Sequence, residues 1–350
     1  MKRPAITAAD KRRRKRWLSA TLVVCVTMAM VGGSLHVMEL GSMRMDEMRG
    51  KAGYNVDEMH DHIRSAGEEI SLQANNEHYG AASLSYTAGE ALNLLNDAQW
   101  LDVNSMVSIP AGVFTMGSDD PRTNAQNRPA HKVRTRAYRI DKFPVTEAQY
   151  ARFVAAKKYR PPLSWKDGRI SDGMAMHPVT MVSWYNARDY CSWAGKRLPT
   201  EAEWEKAARG TDARRWPWGS VMYPNNLNTY YKVGRTTAVD AYPQGVSPYG
   251  VMDMAGNVQE WVADQFSPYS GSQAPGEIFQ AKEIDPDYHR GSDEKERLIY
   301  FVMRGGSWKS DPFSTYAYHR NYSLPNYASD FFGFRCAGDA GAADAGQEEK

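Results

Sequence analysis

The stretch that decides the fold is Tyr249-Gly-Val-Met-Asp-Met-Ala-Gly-Asn-Val-Gln-Glu-Trp261. It is followed along the chain by Arg304-Gly-Gly-Ser-Trp308 and Gly333-Phe-Arg-Cys-Ala337. From residue 106 onward, short apolar runs are broken by Gly and Pro, which predicts alternating strands and loops, with residues 107–116 as a hairpin. Few regular elements in a chain with ten Trp residues indicate a core of loops held together by aromatic side chains.

Three helices are predicted within this pattern. Residues 146–156 begin with a Thr that can cap a helix, and residues 183–193 carry apolar side chains at helical spacing. The third helix begins at Thr200, where Glu203 completes a capping box, and it ends before Gly210.

The N-terminus predicts a membrane anchor. Residues 1–16 contain eight basic residues and one acid, and residues 17–40 are an almost uninterrupted apolar run with one charged residue, Glu39, near its far end. A helix of 24 residues can cross a hydrocarbon core of roughly 30 Å. The positive-inside rule keeps residues 1–16 in the cytoplasm and exports the remainder, which in a bacterium means the inner membrane and the periplasm. A cleaved signal peptide is the alternative, although no clear Ala-x-Ala site follows the apolar run.

The rest of the chain divides into a juxtamembrane stalk at residues 41–103, one domain at residues 104–338 and a disordered tail at residues 339–350. Within the domain, residues 262–300 carry no strong period and are predicted to be a surface loop. The formal net charge of +2 gives no reason to expect a nucleic-acid partner.

Two cysteines, Cys191 and Cys336, lie in the exported part, whereas Cys25 lies inside the predicted span. They could pair in an oxidising compartment. Each also sits in a core-like pattern, and free buried cysteine is common, which favours two separate thiols.

Together with residues 109–117 and Arg197-Leu-Pro-Thr-Glu-Ala-Glu-Trp-Glu205, the quoted motifs resemble the sulfatase-modifying factor, or formylglycine-generating enzyme, family. The resemblance covers residues 104–338. It implies an irregular α+β fold, related to C-type lectin-like domains and poor in regular secondary structure. In this chain the domain is predicted to follow one transmembrane helix.

The resemblance also implies calcium. Asp253 and Glu260 correspond to side-chain ligands of the family, and Gly256 and Val258 to carbonyl ligands. Oxygen donors of this kind suit a hard cation. A second calcium site falls on Asn228 in a stretch that departs from the family pattern. The alternative for the first site is a glycine turn in which Glu260 caps backbone amides.

A C-terminal cleft carries the family's chemistry, because two cysteines there bind copper(I) and activate oxygen. This chain has Ser310 and Thr315 at those places. Hydroxyls are hard donors that do not replace thiolates on copper(I), so no copper is expected in the domain and formylglycine generation is not expected. The other cleft candidates are Trp308, His319, Arg320 and Tyr322. For the arginines, a ligand-binding and a structural role are equally supported.

Two functions remain open from the sequence. The first is a noncatalytic binding or assembly subunit of a membrane or periplasmic complex, whose tether raises its effective concentration near a protein partner. The alternative is an oxidative maturation enzyme that acts on a periplasmic peptide, protein or metabolite without copper-cysteine chemistry. Members of the family without these cysteines, of the pyoverdine-maturation type, resemble this chain.

Overall fold

The computed structural model describes residues 54–55, 84–281 and 299–340. The basic N-terminus, the predicted span at residues 17–40, most of the stalk and most of the tail lie outside these residues. Within the described ranges, no helix combines the length and apolar character needed to cross a bilayer. The transmembrane helix therefore remains a prediction from sequence.

The described residues form four α-helices: α1 (Asp97–Val103), α2 (Glu147–Lys157), α3 (Trp184–Trp193) and α4 (Glu201–Arg209). The three predicted helices are α2, α3 and α4. Each begins after a hydroxyl residue that accepts a hydrogen bond from the backbone N–H three residues later, and each has a complete capping box. Gly210 ends α4 with a φ of 67°, as the sequence predicts.

The thirteen strands of the described residues are short and form five small sheets. They are β1 (Tyr54–Asn55), β2 (Ser85–Thr87), β3 (Met106–Ile109), β4 (Gly112–Met116), β5 (His131–Thr135), β6 (Tyr138–Asp141), β7 (Arg169–Ser171), β8 (Gln259–Gln265), β9 (Phe301–Arg304), β10 (Asn321–Ser323), β11 (Tyr327–Ala328), β12 (Phe332–Phe334) and β13 (Ala337–Asp339). The largest sheet has the order β10-β9-β8-β12, with β12 parallel to β8. The others are β13-β6-β3, β4-β5, β2-β7 and β1-β11. This mixture of few helices and small sheets is the α+β fold that the sequence predicts.

Two local predictions were wrong. Residues 107–116 do not form a hairpin, because β3 pairs with β6 and β4 pairs with β5. The link at Pro110 and Ala111 carries the chain from one sheet into another. The loop predicted at residues 262–300 begins later than expected, since β8 continues to Gln265 and buries Val262.

The domain also begins earlier than residue 104, where the sequence placed its boundary. Strand β2 pairs with β7, and Ala91 is fully buried in the main core. Helix α1 packs Val103 against Ala148 of α2. These elements are three to seven residues long, too short to show a hydrophobic period in the sequence.

Strand β8 lies between the two main parts of the core. Trp261 packs with the aromatic side chains of α2, α3 and β12, whereas Val262 packs with Trp204 of α4 and Val302 of β9. Successive strand residues point to opposite faces, so one strand serves both clusters. This arrangement brings together α4, β8 and β9, which carry residues of the motifs quoted above.

Cys191 of α3 and Cys336, just before β13, form a disulfide with their Cα atoms 5.6 Å apart. Both residues are fully buried. The sequence favoured separate thiols because each cysteine lies in an apolar pattern. That pattern reflects the core in which the bridge is embedded, and the contact between α3 and the strand end, 145 residues apart, is not readable from spacing.

Candidate functional site

Helix α4 carries two carboxylates one turn apart, and both face inward. Arg304 at the end of β9 donates from Nη1 to Glu201 Oε1 at 2.8 Å and from Nη2 to Glu205 Oε2 at 2.6 Å. The other oxygen of Glu205 accepts from Arg209 Nη1 at 2.7 Å and from the Gly117 N–H at 2.8 Å. Burial opposes the charge of Arg304, but the carboxylates of Glu205 and Glu201 outweigh it and raise the pKa of this guanidinium above its ordinary value.

Arg320, a candidate ligand-binding residue from the sequence, belongs to the same network. It donates to both oxygens of Glu201, from Nε at 2.7 Å and from Nη2 at 2.9 Å, and its guanidinium lies 4.0 Å from the ring centre of Tyr269. With only 2% of its surface exposed, Arg320 is held as a structural cation. Three arginines and two glutamates thus form one buried charge network, which we call the α4 network: Glu201, Glu205, Arg209, Arg304 and Arg320.

A second buried ion pair occupies the position predicted for a calcium ligand. Glu260 Oε2 accepts from Trp204 Nε1 at 2.8 Å and from Arg335 Nε at 2.7 Å, and Oε1 accepts from Arg335 Nη2 at 2.7 Å. All three side chains are fully buried. Both oxygens of Glu260 are therefore engaged by a cation and an indole, and this carboxylate does not fit the role of a metal ligand.

The other predicted calcium donors meet around Asn257. Its Nδ2 donates to Asp253 Oδ2 at 2.7 Å, and its Oδ1 accepts from Asn228 Nδ2 at 3.3 Å. The Oδ1 atom of Asn228 is buried and has no hydrogen-bond partner among the residues that the structure describes. Burial raises the pKa of Asp253 to about 8, against the smaller opposing effects of Asn257 and Arg335. A buried carboxylate and an orphaned amide oxygen are donors that fit an oxygen-preferring cation.

The glycine of this turn is required by close packing. Gly256 has a φ of 78°, and a Cβ atom added to it would lie 2.3 Å from the carbonyl oxygen of Asn228. Val258, the other predicted carbonyl ligand, is buried in the same turn and lies against Gly333 of β12. The turn therefore holds the two segments of predicted calcium donors, around Asn228 and Asp253, in direct contact.

Residues 305–315, which we call the cleft loop, contain the two hydroxyls that stand at the family's cysteine positions. Thr315 is fully buried, and its Oγ1 donates to the Pro312 carbonyl at 2.7 Å and accepts from Trp216 Nε1 at 3.0 Å. Ser310 Oγ accepts from the Ser307 N–H at 2.9 Å and lies 3.2 Å from Ser307 Oγ. Both hydroxyls are thus engaged in bonds that shape the loop.

The remaining cleft candidates do not converge on one point. Trp308 is buried and packs edge-on against Tyr231, whereas Tyr322 stacks on Phe266. His319 is partly buried, with Nδ1 3.4 Å from Asn127 Nδ2. Burial and the nearby charge of Arg304 lower the pKa of His319 to about 4, so its imidazole is neutral at pH 7.

One feature of the site was missed by sequence reasoning. The segment around residues 221–235 packs onto the cleft loop, where Thr229 Oγ1 donates to the Ser310 carbonyl at 2.7 Å and the Tyr231 N–H donates to the Trp308 carbonyl at 2.7 Å. No motif marks this contact. Its only signal in the sequence is the pair of adjacent tyrosines, Tyr230 and Tyr231, in a stretch with three Asn residues.

Across residues 84–281 and 299–340, no group of three or more His, Cys, Asp or Glu side chains is arranged to hold a metal ion. The oxygen donors around Asn257 are of a different kind, because they include amide and carbonyl oxygens besides one carboxylate.

Comparison with known proteins gives the relatives of this domain. The Sulfatase-modifying factor enzyme 1-like domain matches residues 93–340. The serine/threonine-protein kinase pkn1 of Chlamydia pneumoniae is 35% identical over 251 residues, which cover 67% of this chain and 38% of the kinase. Inactive C-alpha-formylglycine-generating enzyme 2 of Bos taurus is 31% identical over 313 residues, covering 71% of this chain and 94% of the relative. Among solved structures, PvdO from Pseudomonas aeruginosa has a TM-score of 0.55 and 24% identity, covering 75% of this chain and all of PvdO.

The chain spans only 38% of the length of the kinase, so the likeness concerns one part of that protein. The likeness to PvdO concerns the fold. The family match covers more than half of the chain and begins before residue 104, in agreement with the packing of α1. This chain belongs to the family of proteins with a sulfatase-modifying factor enzyme 1-like domain.

Proposed function

We propose that this protein is a noncatalytic binding or assembly subunit of a membrane or periplasmic complex, and that it contacts its partner through the cleft loop. The observation that carries the proposal is that both hydroxyls of the cleft loop are engaged in hydrogen bonds within the domain. Thr315 is buried between Trp216 and Pro312, and Ser310 shapes the turn at Ser307. These groups stabilise a loop, and as hard donors they are unsuited to hold copper(I).

The cysteines support the same proposal. Cys191 and Cys336 are joined to each other and fully buried, so the described residues offer no free thiolate near the cleft loop. The name of the bovine relative, an inactive C-alpha-formylglycine-generating enzyme, is compatible with a domain that keeps the fold without the reaction.

The proposed location is the inner membrane of a bacterium, with the domain in the periplasm. A disulfide persists in oxidising compartments, which supports export of the domain. The basic residues 1–16 and the apolar residues 17–40 supply the anchor in this proposal.

We also propose that calcium stabilises the turn around Asn257. Asp253 and Asn228 would hold the ion through their side-chain oxygens, together with carbonyls of the Gly256 turn, while Glu260 stays paired with Arg335. A bound cation would stabilise the ionised form of Asp253, which burial disfavours, and would tie two segments of chain together. In the full chain, saturating CaCl2 should raise the Tm by several degrees, and Asp253→Asn should remove this shift while Glu260→Gln keeps it. Equal shifts in the wild type and Asp253→Asn would contradict the assignment.

The noncatalytic part of the proposed function is tested by measuring oxygen consumption. The purified full chain in detergent is supplied with Cu(I) or Fe(II), a thiol reductant and a cysteine peptide, and oxygen uptake is compared with that of the same metal free in buffer. No excess uptake is expected. Sustained uptake that depends on the protein would overturn the proposal and favour the oxidative maturation enzyme.

A further inference from the structure

Exposed apolar side chains are concentrated beside the cleft loop. Five of the twelve exposed large apolar residues in the described ranges fall between residues 221 and 233, so this short stretch is unusually apolar for a surface. We call these five residues the tyrosine ledge: Val221, Tyr223, Tyr230, Tyr231 and Val233.

Two residues of the tyrosine ledge have an unfavourable backbone conformation. Tyr230 has a φ of 52° and Tyr231 a φ of 58°, in the left-handed region that Gly and Asn adopt with little strain and aromatic residues rarely adopt. Their side chains are 70% and 53% exposed, so burial of the rings does not compensate for the strain. Strained residues that gain little from packing are typical of functional surfaces.

The strained pair is fixed in place by the cleft loop. The Tyr230 N–H donates to the Ser310 carbonyl at 2.9 Å, and the Tyr231 N–H donates to the Trp308 carbonyl at 2.7 Å. The ring of Tyr231 meets the ring of Trp308 edge-on, with the ring centres 5.6 Å apart. The tyrosines are therefore held at the rim of the cleft loop, ready for a partner with little further ordering.

The segment of chain that carries these tyrosines is basic. Residues 213–239 contain four basic residues and no Asp or Glu. Two of these basic residues are paired, since Arg214 bonds Asp212 and Arg215 lies 3.6 Å from Asp120. Lys232 is exposed, and its Nζ donates only to uncharged oxygens of Pro224 and Asn225.

Arg235 is exposed as well, three residues further along the chain. Neither Lys232 nor Arg235 has a carboxylate partner among the salt bridges of the described residues. Charge complementarity thus favours an acidic partner at this surface.

We propose that the tyrosine ledge, with Lys232 and Arg235, binds an acidic segment of a partner polypeptide. This inference rests on the proposed binding function and specifies the chemistry of its partner. Tyrosine rings offer apolar faces and a hydroxyl at low entropic cost, which suits them to anchor a protein interface. The two cations would meet the carboxylates of the bound segment, and affinity would fall as ionic strength rises.

The test uses the full chain and a fluorescently labelled random copolymer of Glu and Tyr as the probe, followed by fluorescence anisotropy. The double variant Tyr230→Asn/Tyr231→Asn removes the two rings and introduces residues that tolerate the left-handed backbone. We expect this variant to bind the copolymer at least tenfold more weakly than the wild type. Because the strain is relieved, its Tm should be unchanged or higher by roughly 2–4 °C.

The variant Lys232→Gln/Arg235→Gln tests the charges separately, on two exposed side chains whose loss should leave the fold intact. It should weaken binding at low salt and abolish most of the salt dependence. As a matched control, Lys157→Gln removes a positive charge from the exposed end of α2 and should leave binding unchanged.

Three results would overturn the inference: equal binding by the wild type and the tyrosine variant, a tyrosine variant with a clearly lower Tm, or stronger binding to phosphatidylglycerol vesicles or polyuridylic acid than to the copolymer. None of these readouts involves oxygen uptake. Failure of the binding inference for the tyrosine ledge can thus be distinguished from failure of the proposed noncatalytic function.

Discussion

The α4 network and the cleft loop lie in the same domain and differ in what their polar groups do. In the α4 network, two buried carboxylates of one helix are matched by three arginines from other parts of the chain or the next turn. In the cleft loop, Ser310 and Thr315 stand where the family's chemistry would require thiolates, and their hydroxyls bond to neighbouring loop groups. The difference teaches that the buried charges of α4 hold distant parts of the chain together, whereas the two hydroxyls of the cleft loop shape only the loop itself.

The largest expected effect is at Glu260, whose buried pair with Arg335 lies next to the α4 network because Glu260 is the strand partner of Arg304. Replacing Glu260 by Gln leaves Arg335 buried without a carboxylate partner, which should lower the free energy of unfolding by about 3–5 kcal/mol. Denaturant titration of the full chain measures the change. The control is Asp330→Asn, whose pair with Lys309 is 53% exposed on the Asp side and should cost no more than about 1 kcal/mol. Equal costs for the two variants would contradict a structural role for the buried pair.

The disulfide is the next largest expected contribution. The double variant Cys191→Ala/Cys336→Ala removes a covalent link between segments 145 residues apart and should lower the free energy of unfolding by about 2–4 kcal/mol. The measurement is again denaturant titration, now with and without a reductant. The wild type should lose stability on reduction and the variant should not. In the unreduced, unfolded wild type, which also carries Cys25, three titratable thiols instead of one would show that the bridge does not form.

The cleft side is tested at Thr315. Thr315→Val keeps the shape but leaves the indole N–H of buried Trp216 without an acceptor, which should cost about 1–3 kcal/mol of stability. The nearby Ser314→Ala changes a more exposed hydroxyl that bonds Asp311 and should cost less than about 0.5 kcal/mol. If Thr315→Val is as stable as the wild type, the hydroxyl is not needed for the loop and a chemical role regains support.

The smallest expected effect is a pH dependence at His319. Its pKa is about 4 in the folded protein because of burial and Arg304, and near its ordinary value of 6.5 in the unfolded chain. Between these values only the unfolded state takes up the proton, so the stability contribution is complete above pH 6.5 and is lost as pH falls toward 4. The difference in stability between the wild type and His319→Gln should shrink by about 1–2 kcal/mol from pH 7 to pH 5. A difference that is independent of pH would show that the imidazole is not shielded from protonation.

The sequence predicted the parts of the fold that local chemistry determines. Thr146, Ser183 and Thr200 mark the starts of α2, α3 and α4 because capping involves residues three apart. Strand pairing was predicted poorly: β3 and β4 join different partners although only two residues separate them. Pairing depends on long-range contacts, and a strand of four or five residues carries too little pattern to reveal them.

The candidate site was predicted in the same uneven way. The motifs lie in segments that the fold buries, since Asp253, Glu260 and Arg304 are all buried in the domain. The partners of these residues were not predictable, because the pairing of Glu260 with Arg335 joins positions 75 residues apart. The tyrosine ledge was missed altogether, because strain at Tyr230 and Tyr231 is a property of the backbone and leaves no mark in residue spacing.

The most direct test of the central claim is the reaction itself. The full chain is incubated with copper(I), oxygen, a thiol reductant and a Cys-x-Pro-x-Arg peptide, and the peptide is followed by mass spectrometry with an aldehyde-reactive probe. With Ser310 and Thr315 in place of the cysteines, we predict that the peptide mass is unchanged and that no probe is attached. Conversion of the peptide cysteine to an aldehyde would contradict the claim that the fold has been kept without the chemistry.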